Sequence, residues 1–411
     1  MRFFLLILGN ILTVQCLNIN DNIIINITTA FDNQDVKRSA VSLGPCKIVV
    51  SGDCPNPEIR YYLYTHTYSE IPEEVQIGAE PFASNLTQTS FNPLRPTKII
   101  IHGYNSGMRL NALIEIKNRM RLNALIEIKN QYLIRQNTNV FAIDWGPLAN
   151  GPCYPAAVWN ARTAGKCSAL LVDRLREFNI DDIHVIGFSL GAHVSAFLAN
   201  ALLPYKLSRI TGLDPAMPGF TTVGTIENNG IRSCNARFVD VVHTNAFFQG
   251  QIQESGHVDF YLNGGVIQPG CWADERFIAC NHHRAPYYFA ESINSERGFW
   301  GWPCPNYFVY LLGRCPPQNP QTLMGEHITR CPNYFVYLLG RCPPQNPQTL
   351  MGEHITRNAK GMHLVITDSV SPFAVGPFTG PTIDILKKGN AFSDHGFRVT
   401  VCGWTFYWTD N

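Results

Sequence analysis

Residues 183–200 read IHVIGFSLGAHVSAFLAN, and this stretch decides the fold. An apolar strand-like run (Ile183, Val185, Ile186) stops at GFSLG, and a helical pattern follows at once. Strand, sharp turn and helix in that order form a nucleophile elbow with Ser189 at its tip. The tip residue needs a strained backbone, so Gly187 and Gly191, two positions to either side, stand where a side chain would not fit. Such a turn lifts the Ser189 hydroxyl clear of the sheet. It also leaves the Leu190 N–H unpaired at a helix N-terminus, where developing negative charge is stabilised.

Other apolar runs extend the pattern in both directions. RYYLYT (60–65), KIII (98–101), VFAID (140–144), RITGL (209–213) and FVDVV (238–242) read as strands, and 159–178 reads as a helix. KIII is apolar throughout, as in a parallel strand covered on both faces. Strands alternating with helices predict an α/β fold with a mostly parallel sheet and helices on both faces. The functional residues then belong at the carboxyl ends of the strands.

The chain has 411 residues, a formal net charge of +1 and 45% hydrophobic residues, enough for a large core. It has no basic run, which gives no support to nucleic-acid binding. Residues 1–16 read as a secretory signal peptide: Arg2, an apolar core from Phe3 to Val14, then Val14-Gln15-Cys16 as the cleavage site. Of 13 cysteines, those after Cys16 make an even set suited to disulfides in an oxidising compartment. Asn26-Ile27-Thr28 and Asn85-Leu86-Thr87 are glycosylation sequons. The expectation is a secreted, monomeric globular protein.

Two segments occur twice. MRLNALIEIKN stands at 108–118 and again at 120–130, and the 27 residues of 304–330 recur unchanged at 331–357. Repeat architectures need three or more units. A 12-residue shift also turns a helix by about 120°, so two copies cannot point one apolar face at the same core. One copy of each pair is expected to be surplus.

A serine hydroxyl needs a base, and the base needs a carboxylate to orient it. In chain order the partners follow as Asp or Glu, then His. Asp214, Asp240, Asp259 and Asp274 qualify, with His193, His243, His257, His282 and His283. Asp214 follows RITGL directly and precedes Pro215, so it sits at a strand's carboxyl edge. Asp240 lies within an apolar strand and reads as structural. His193, four residues past Ser189, reads as packing beneath the turn. These considerations prefer Asp214 and leave His282 and His283 unseparated.

GFSLGAH, ITGLDPA, FVDVVHT, GHVDFYLNGG, QPGC and CNHHRA, in this order, resemble the animal pancreatic lipase family of α/β-hydrolases. The resemblance implies one α/β-hydrolase domain over 54–375, an N-terminal extension over 17–53 and a tail over 376–411. That tail is too short for the β-sandwich domain of pancreatic lipases. It implies Ser189 as nucleophile, Asp214 as acid and His282 as base, with His283 facing solvent. IIIHGYNSG resembles the family's oxyanion loop, so the backbone N–H groups of Tyr104 and Leu190 would hold the oxyanion. The resemblance further suggests disulfides Cys54–Cys153, Cys271–Cys280 and Cys304–Cys315, with a redundant Cys331–Cys342. It leaves Cys46, Cys167, Cys234 and Cys402 unassigned.

Two departures bear on substrate and metal. Only WADERFIA separates Cys271 from Cys280, which bound the family's lid. That is about two helical turns, and the loop from His243 to His257 is short as well. Both resemble the phospholipase A1 branch and insect neutral lipases, with an open cleft. Arg232 and Asn235 stand where the family places acidic calcium ligands, which argues against a metal site. The expectation is therefore a secreted lipid carboxylic ester hydrolase with no metal and no cofactor. Its substrate would be a phospholipid or acylglycerol, met in transient contact with a lipid surface. The alternatives are a neutral triacylglycerol lipase and, in another class, a non-catalytic lipid-binding protein of yolk type.

Overall fold

The apolar runs of the sequence become neighbouring strands of one sheet. The computed structural model describes residues 40–107, 124–134, 137–220, 230–272, 274–312, 315, 321–324, 327–330, 348–377, 397–401 and 404–408. The leader at 1–16, the Asn26 sequon, the first helical copy at 108–118, Cys331, Cys342 and Cys402 lie outside these residues. The described residues all belong to one compact unit, Ser39–Asn411. The strands in chain order begin with β1 (Ala40–Leu43), β2 (Cys46–Val49), β3 (Arg60–Tyr64), β4 (Glu73–Val75), β5 (Thr97–Ile101) and β6 (Asn139–Asp144). Next come β7 (Ile183–Phe188), β8 (Arg209–Leu213), β9 (Val239–His243), β10 (Val258–Leu262) and β11 (Phe299–Cys304). The last are β12 (Gln321–Met324), β13 (His327–Arg330), β14 (Thr349–Met351), β15 (Gly361–Val365), β16 (Phe397–Val401) and β17 (Trp404–Trp408). Residues 124–134 form helix α1. It is followed by α2 (Tyr154–Arg176), α3 (Leu190–Ala201), α4 (Phe277–Asn294) and the short α5 (Tyr307–Leu311).

An 11-stranded sheet runs β14-β11-β15-β10-β9-β8-β7-β5-β6-β3-β4. From β15 across to β6 every pairing is parallel. The outer strands β3, β4, β11 and β14 pair antiparallel. This is the expected α/β-hydrolase sheet. KIII behaves as its composition requires, because Ile99 and Ile101 face one core while Ile100 faces the other. The first core packs α2 and α3 through Ala164, Leu171, Val194 and Leu198. The second packs α1 and α4 through Leu125, Ile128, Tyr288 and Phe289.

The strands' amino ends are tied by a buried charge network. Arg209 forks onto Asp240 at 2.8 and 2.9 Å, and Thr211 Oγ1 donates to the same carboxylate. Asp240 is thus structural, as its place in the strand suggested. Lys98 and Tyr132 meet the Glu353 carboxylate at 2.5 and 2.6 Å. Burial opposes charge on Glu353, but His184, Lys98 and Arg209 prevail and hold it below the usual carboxylate range. A carboxylate placed so is costly to remove, because the Lys98 ammonium would be left buried without its close partner, although Arg209 would keep Asp240.

The disulfides differ from expectation at one end of the chain. Cys54 bonds Cys167 and Cys46 bonds Cys153, so the expected Cys54–Cys153 bridge does not form. The reason is direction. The segment from β2 onward runs alongside α2, so the first cysteine meets the helix start and the second meets it further on. Between them Asn160 Oδ1 accepts from Val49 N, Trp159 Nε1 donates to Val49 O, and Lys166 Nζ donates to Gly52 O. Cys271–Cys280 and Cys304–Cys315 form as expected. Cys234 has no disulfide partner among the described residues.

The duplicated segments contribute unequally. In α1 the second copy supplies the buried face, with Ala124, Leu125 and Ile128 essentially solvent-free. The longer repeat is used as a composite. Its first copy gives α5 and Cys304–Cys315, and its second copy gives β14, Glu353 and His354. Trp302 Nε1 donates to Cys315 O at 3.2 Å, while the neighbouring Gly301 pairs with Thr349. Cys315 and Thr349 are therefore close enough to be bridged by 343–347, which can span about 20 Å. Deleting the 27 residues 316–342 should leave a chain that keeps the four disulfides and melts within a few degrees of the full-length protein. Loss of cooperative melting or of the Cys304–Cys315 bridge would contradict the composite.

Candidate active site

Ser189 sits between β7 and α3 with φ 57° and ψ −121°, a left-handed backbone that a non-glycine residue adopts only at a cost of about 1–3 kcal/mol. The two glycines permit it. A Cβ on Gly187 would lie 2.3 Å from Gly191 O, and one on Gly191 would lie 2.2 Å from Ile101 O. The elbow is held in the sheet by Ser189 N donating to Leu213 O at 2.9 Å. Leu190 opens α3, so its N–H has no partner within the helix.

Asp214 lies one residue past β8, also left-handed at φ 43°, and is fully buried. Its carboxylate is filled on both oxygens. Oδ1 accepts from Thr244 N at 2.8 Å and Asn245 N at 3.1 Å, and Oδ2 meets His282 Nδ1 at 2.5 Å. Gly250 closes the far side, where an added Cβ would fall 2.4 Å from Oδ1. These contacts require the Nδ1–H tautomer of His282, which leaves the Nε2 lone pair free to take a proton. The imidazole packs 4.7 Å from the Phe188 ring, and Phe188 directly precedes Ser189. Serine, acid and imidazole are thereby gathered at the carboxyl edge of the sheet.

The structure separates the two adjacent histidines. His283 Nδ1 bonds Ala279 O at 2.7 Å and its ring lies 5.2 Å from Phe188, so it is half-buried and not turned wholly to solvent. His193 stacks on Phe220 at 3.7 Å and bonds Ala216 O, away from Asp214. His243 pairs with Asp259 at 2.9 Å, and His257 accepts from Val239 N. None of these reaches Asp214.

Tyr104 lies in the loop after β5, which presses on the elbow. A Cβ on Gly103 would sit 2.7 Å from Ser189 Cβ. His102, which the sequence reading passed over, anchors this loop. Its Nδ1 faces the acceptor Gly103 O at 2.8 Å and so donates to it, while Nε2 meets Trp145 N at 3.1 Å and Asp144 Oδ1 at 3.2 Å. Fixing that carbonyl turns the Tyr104 N–H to the opposite side of the same trans peptide. Gln268 and Asn281 were also missed, although both stood inside quoted motifs. Gln268 Nε2 donates to Thr244 O and Leu262 O, and its N–H donates to Asn281 Oδ1, tying α4 to the ends of β9 and β10.

At the mouth, Cys271–Cys280 closes a short loop. Phe277, Ile278 and Ala279 already belong to α4, so only 272–276 lie outside the helix. Arg232 N donates to Asn235 Oδ1 at 2.7 Å, and Asn235 Nδ2 donates to Asn200 Oδ1 at 2.9 Å. The Asn235 amide is thus committed to protein partners. Among the described residues no group of three or more His, Cys, Asp or Glu side chains could hold a metal.

The profile of the family described as Lipase matches residues 24–336. The chain belongs to the lipase family. It is 32% identical over 283 residues to the pancreatic triacylglycerol lipase of Mus musculus, covering 63% of this chain and 56% of that protein. To lipase member H-A of Xenopus laevis it is 34% identical over 230 residues, covering 54% and 47%. To the pancreatic triacylglycerol lipase of Oryctolagus cuniculus it is 34% identical over 297 residues, covering 66% and 59%. The chain spans roughly half the length of these relatives.

Two buried histidines away from the site, His193 and His184, are held neutral. Burial lowers His193 to about 4, and burial with the nearby Arg209 charge takes His184 well below its ordinary value. Each binds a proton more readily unfolded than folded, so its contribution is complete above about pH 6.5 and declines as pH falls from 6.5 toward 4. The urea midpoint should drop over that window, at up to about 1.4 kcal/mol per pH unit for each group. A flat profile from pH 7 to 4.5 would contradict this assignment.

Proposed function

We propose that this lipase-family chain is a secreted, monomeric serine hydrolase that cleaves acyl esters of phospholipids, in the manner of a phospholipase A1. The observation that carries the chemistry is the Asp214 Oδ2–His282 Nδ1 pair at 2.5 Å, packed through Phe188 against the Ser189 elbow. Ser189 Oγ attacks the ester carbonyl while His282 Nε2 takes its proton. Asp214 holds the imidazole in the required tautomer and offsets the imidazolium charge. The N–H groups of Leu190 and Tyr104 receive the oxyanion, each such donor contributing about 3 kcal/mol to the transition state. His282 returns the proton to the departing lysolipid, and water then cleaves the acyl-enzyme by the same route in reverse. Two left-handed residues, Ser189 and Asp214, at the carboxyl edge of the sheet fit this role, since strained backbone concentrates where a site must be preorganised.

Phospholipid is favoured by the mouth of the site. The segment outside α4 is confined to 272–276 by the Cys271–Cys280 bridge, leaving little chain to cover an acyl-chain groove. Acylglycerol hydrolysis is the second reading, favoured by the names of the mouse and rabbit relatives. Secretion is supported by four disulfides among the described residues, two of which join residues more than a hundred positions apart.

Purified protein should hydrolyse phosphatidylcholine faster than triolein, and Ser189→Ala should lower the rate on both by on the order of 10⁵–10⁶. Persistent cleavage by Ser189→Ala would sink the mechanism, and a preference for triolein would select the second reading. Hydrolysis should also be indifferent to EDTA, because the Asn235 amide is engaged by Arg232 and Asn200. Activity lost in EDTA and restored by calcium would refute that.

A further inference from the structure

One buried side chain joins the acid of the site to the helix that carries its base. Gln268 follows β10 and is fully buried. Its Nε2 donates to Leu262 O at 2.8 Å and to Thr244 O at 2.9 Å. Leu262 is the last residue of β10, and Thr244 is the first after β9. The Gln268 Oε1 accepts from Asn263 Nδ2 at 2.9 Å. That orientation is fixed from outside, because Asn263 Oδ1 accepts from Thr367 N at 3.1 Å and turns its nitrogen toward Gln268. Both amide hydrogens and the oxygen of Gln268 are therefore committed.

The Thr244 carbonyl is half of a peptide that serves Asp214. The other half is the Asn245 N–H, which donates to Asp214 Oδ1 at 3.1 Å. C=O and N–H point to opposite sides of a trans peptide, so holding one aims the other. With Thr244 O drawn to Gln268, the Asn245 N–H is directed at the carboxylate. The Thr244 N–H, from the preceding peptide, reaches the same oxygen at 2.8 Å. Oδ1 is thus located by two donors, and Oδ2 is left for His282.

Gln268 also reaches the base. Its backbone N–H donates to Asn281 Oδ1 at 2.5 Å, and Asn281 directly precedes His282 on α4. Asn281 is fully buried, and its Nδ2 donates to Phe277 O at 2.8 Å, which keeps its oxygen toward Gln268. The Cys271–Cys280 bridge ties the same two segments covalently beside this bond. The links close a ring that runs from Asp214 through the 244–245 peptide, Gln268 and Asn281 to His282, and back by the 2.5 Å contact. A fully satisfied buried network of this kind holds its members to one arrangement. An apolar residue of similar size would fill the space without directing the Thr244 carbonyl.

We propose that Gln268 is a positioning residue for the acid–base pair, setting the Asp214 carboxylate against His282 Nδ1 through Thr244 and Asn281. The inference rests on the serine-hydrolase reading of Ser189, Asp214 and His282, and one of its two tests needs no turnover. In the first, the full chain carrying Gln268→Met is compared with the unsubstituted protein on a water-soluble butyrate ester. Its kcat should fall on the order of 10²-fold, the cost of misplacing a catalytic group by about 1 Å, while KM stays within about twofold. Glu353→Gln, at the opposite ends of the strands, should also lower the melting temperature but leave kcat unchanged. Full kcat in Gln268→Met, a rise in KM alone, or an equal fall of kcat in Glu353→Gln overturns the proposal.

The proton between Asp214 and His282 gives the second test. In a short, charge-assisted hydrogen bond it resonates far downfield in the proton NMR spectrum. The resonance that disappears in His282→Gln should move upfield in Gln268→Met and keep its position in Glu353→Gln. An unmoved resonance in Gln268→Met overturns the proposal, whatever its melting temperature. If the unsubstituted protein cleaves no ester, the hydrolase reading has failed, and the resonance still decides the positioning. Should Gln268→Met not fold, Gln268→Glu takes its place, since a carboxyl buried against two carbonyls stays protonated and keeps one donor. Its kcat should lie below that of the unsubstituted protein at unchanged KM, and full kcat there overturns the proposal as well.

Discussion

The contact on which the rest depends is backbone against backbone. At Gly191 the first turn of α3 comes so near the end of β5 that a methyl group would meet Ile101 O at 2.2 Å and His102 O at 2.7 Å. Gly187 faces the same turn from the strand side. Only glycine at both places lets a helix start within one residue of a strand's end. That closeness forces Ser189 into its left-handed conformation, and it sets the helix N-terminus beside the His102–Tyr104 loop. Everything chemical in the site is arranged around this turn. β8 ends level with it and delivers Asp214, while β9 ends level with β8 and supplies the two amides that hold the Asp214 carboxylate.

This explains what was legible in the sequence and what was not. A parallel strand covered on both faces reads as an unbroken apolar run, so β5, β6, β7 and β8 could be read from residue order alone. Asp214 was legible because it directly follows such a run. The edge strands were harder. β11 contains Pro303 and two tryptophans, and β14 has three residues, so their periodicity is too short to separate from loop. His282 and His283 are adjacent on one helix and differ only by about 100° of rotation. Nothing local distinguishes them; the packing of Phe188 and the reach of Asp214 do. The disulfide exchange has a similar origin, because it depends on which way the segment after β2 runs along α2.

The duplicated segments make a related point about what a fold recognises. Identical sequence does not earn identical use. The sheet accepts whichever stretch can pair with β11 on one edge and supply a carboxylate to Lys98 and Arg209 on the other. It draws α5 from one copy and β14 with Glu353 from the next. The parts of the repeat are selected by tertiary partners, so the boundary of a copy in sequence is not a boundary in space.

The paired bridges from Cys46 and Cys54 have a mechanical consequence. Their partners Cys153 and Cys167 lie 14 residues apart on α2, or about 21 Å along the helix axis. The eight Cα steps from Cys46 to Cys54 reach about 26–29 Å at full stretch, so the segment is held extended. It lies along α2 as a splint, pinned covalently at both ends and by hydrogen bonds between. Gly165, near the second pin, is where α2 bears on α3, with room for no side chain between it and Phe197 Cβ. The stiffness of a covalent crosslink is thus passed through one helix to the back of another, and α3 is the helix on whose first residue the strained serine turn rests.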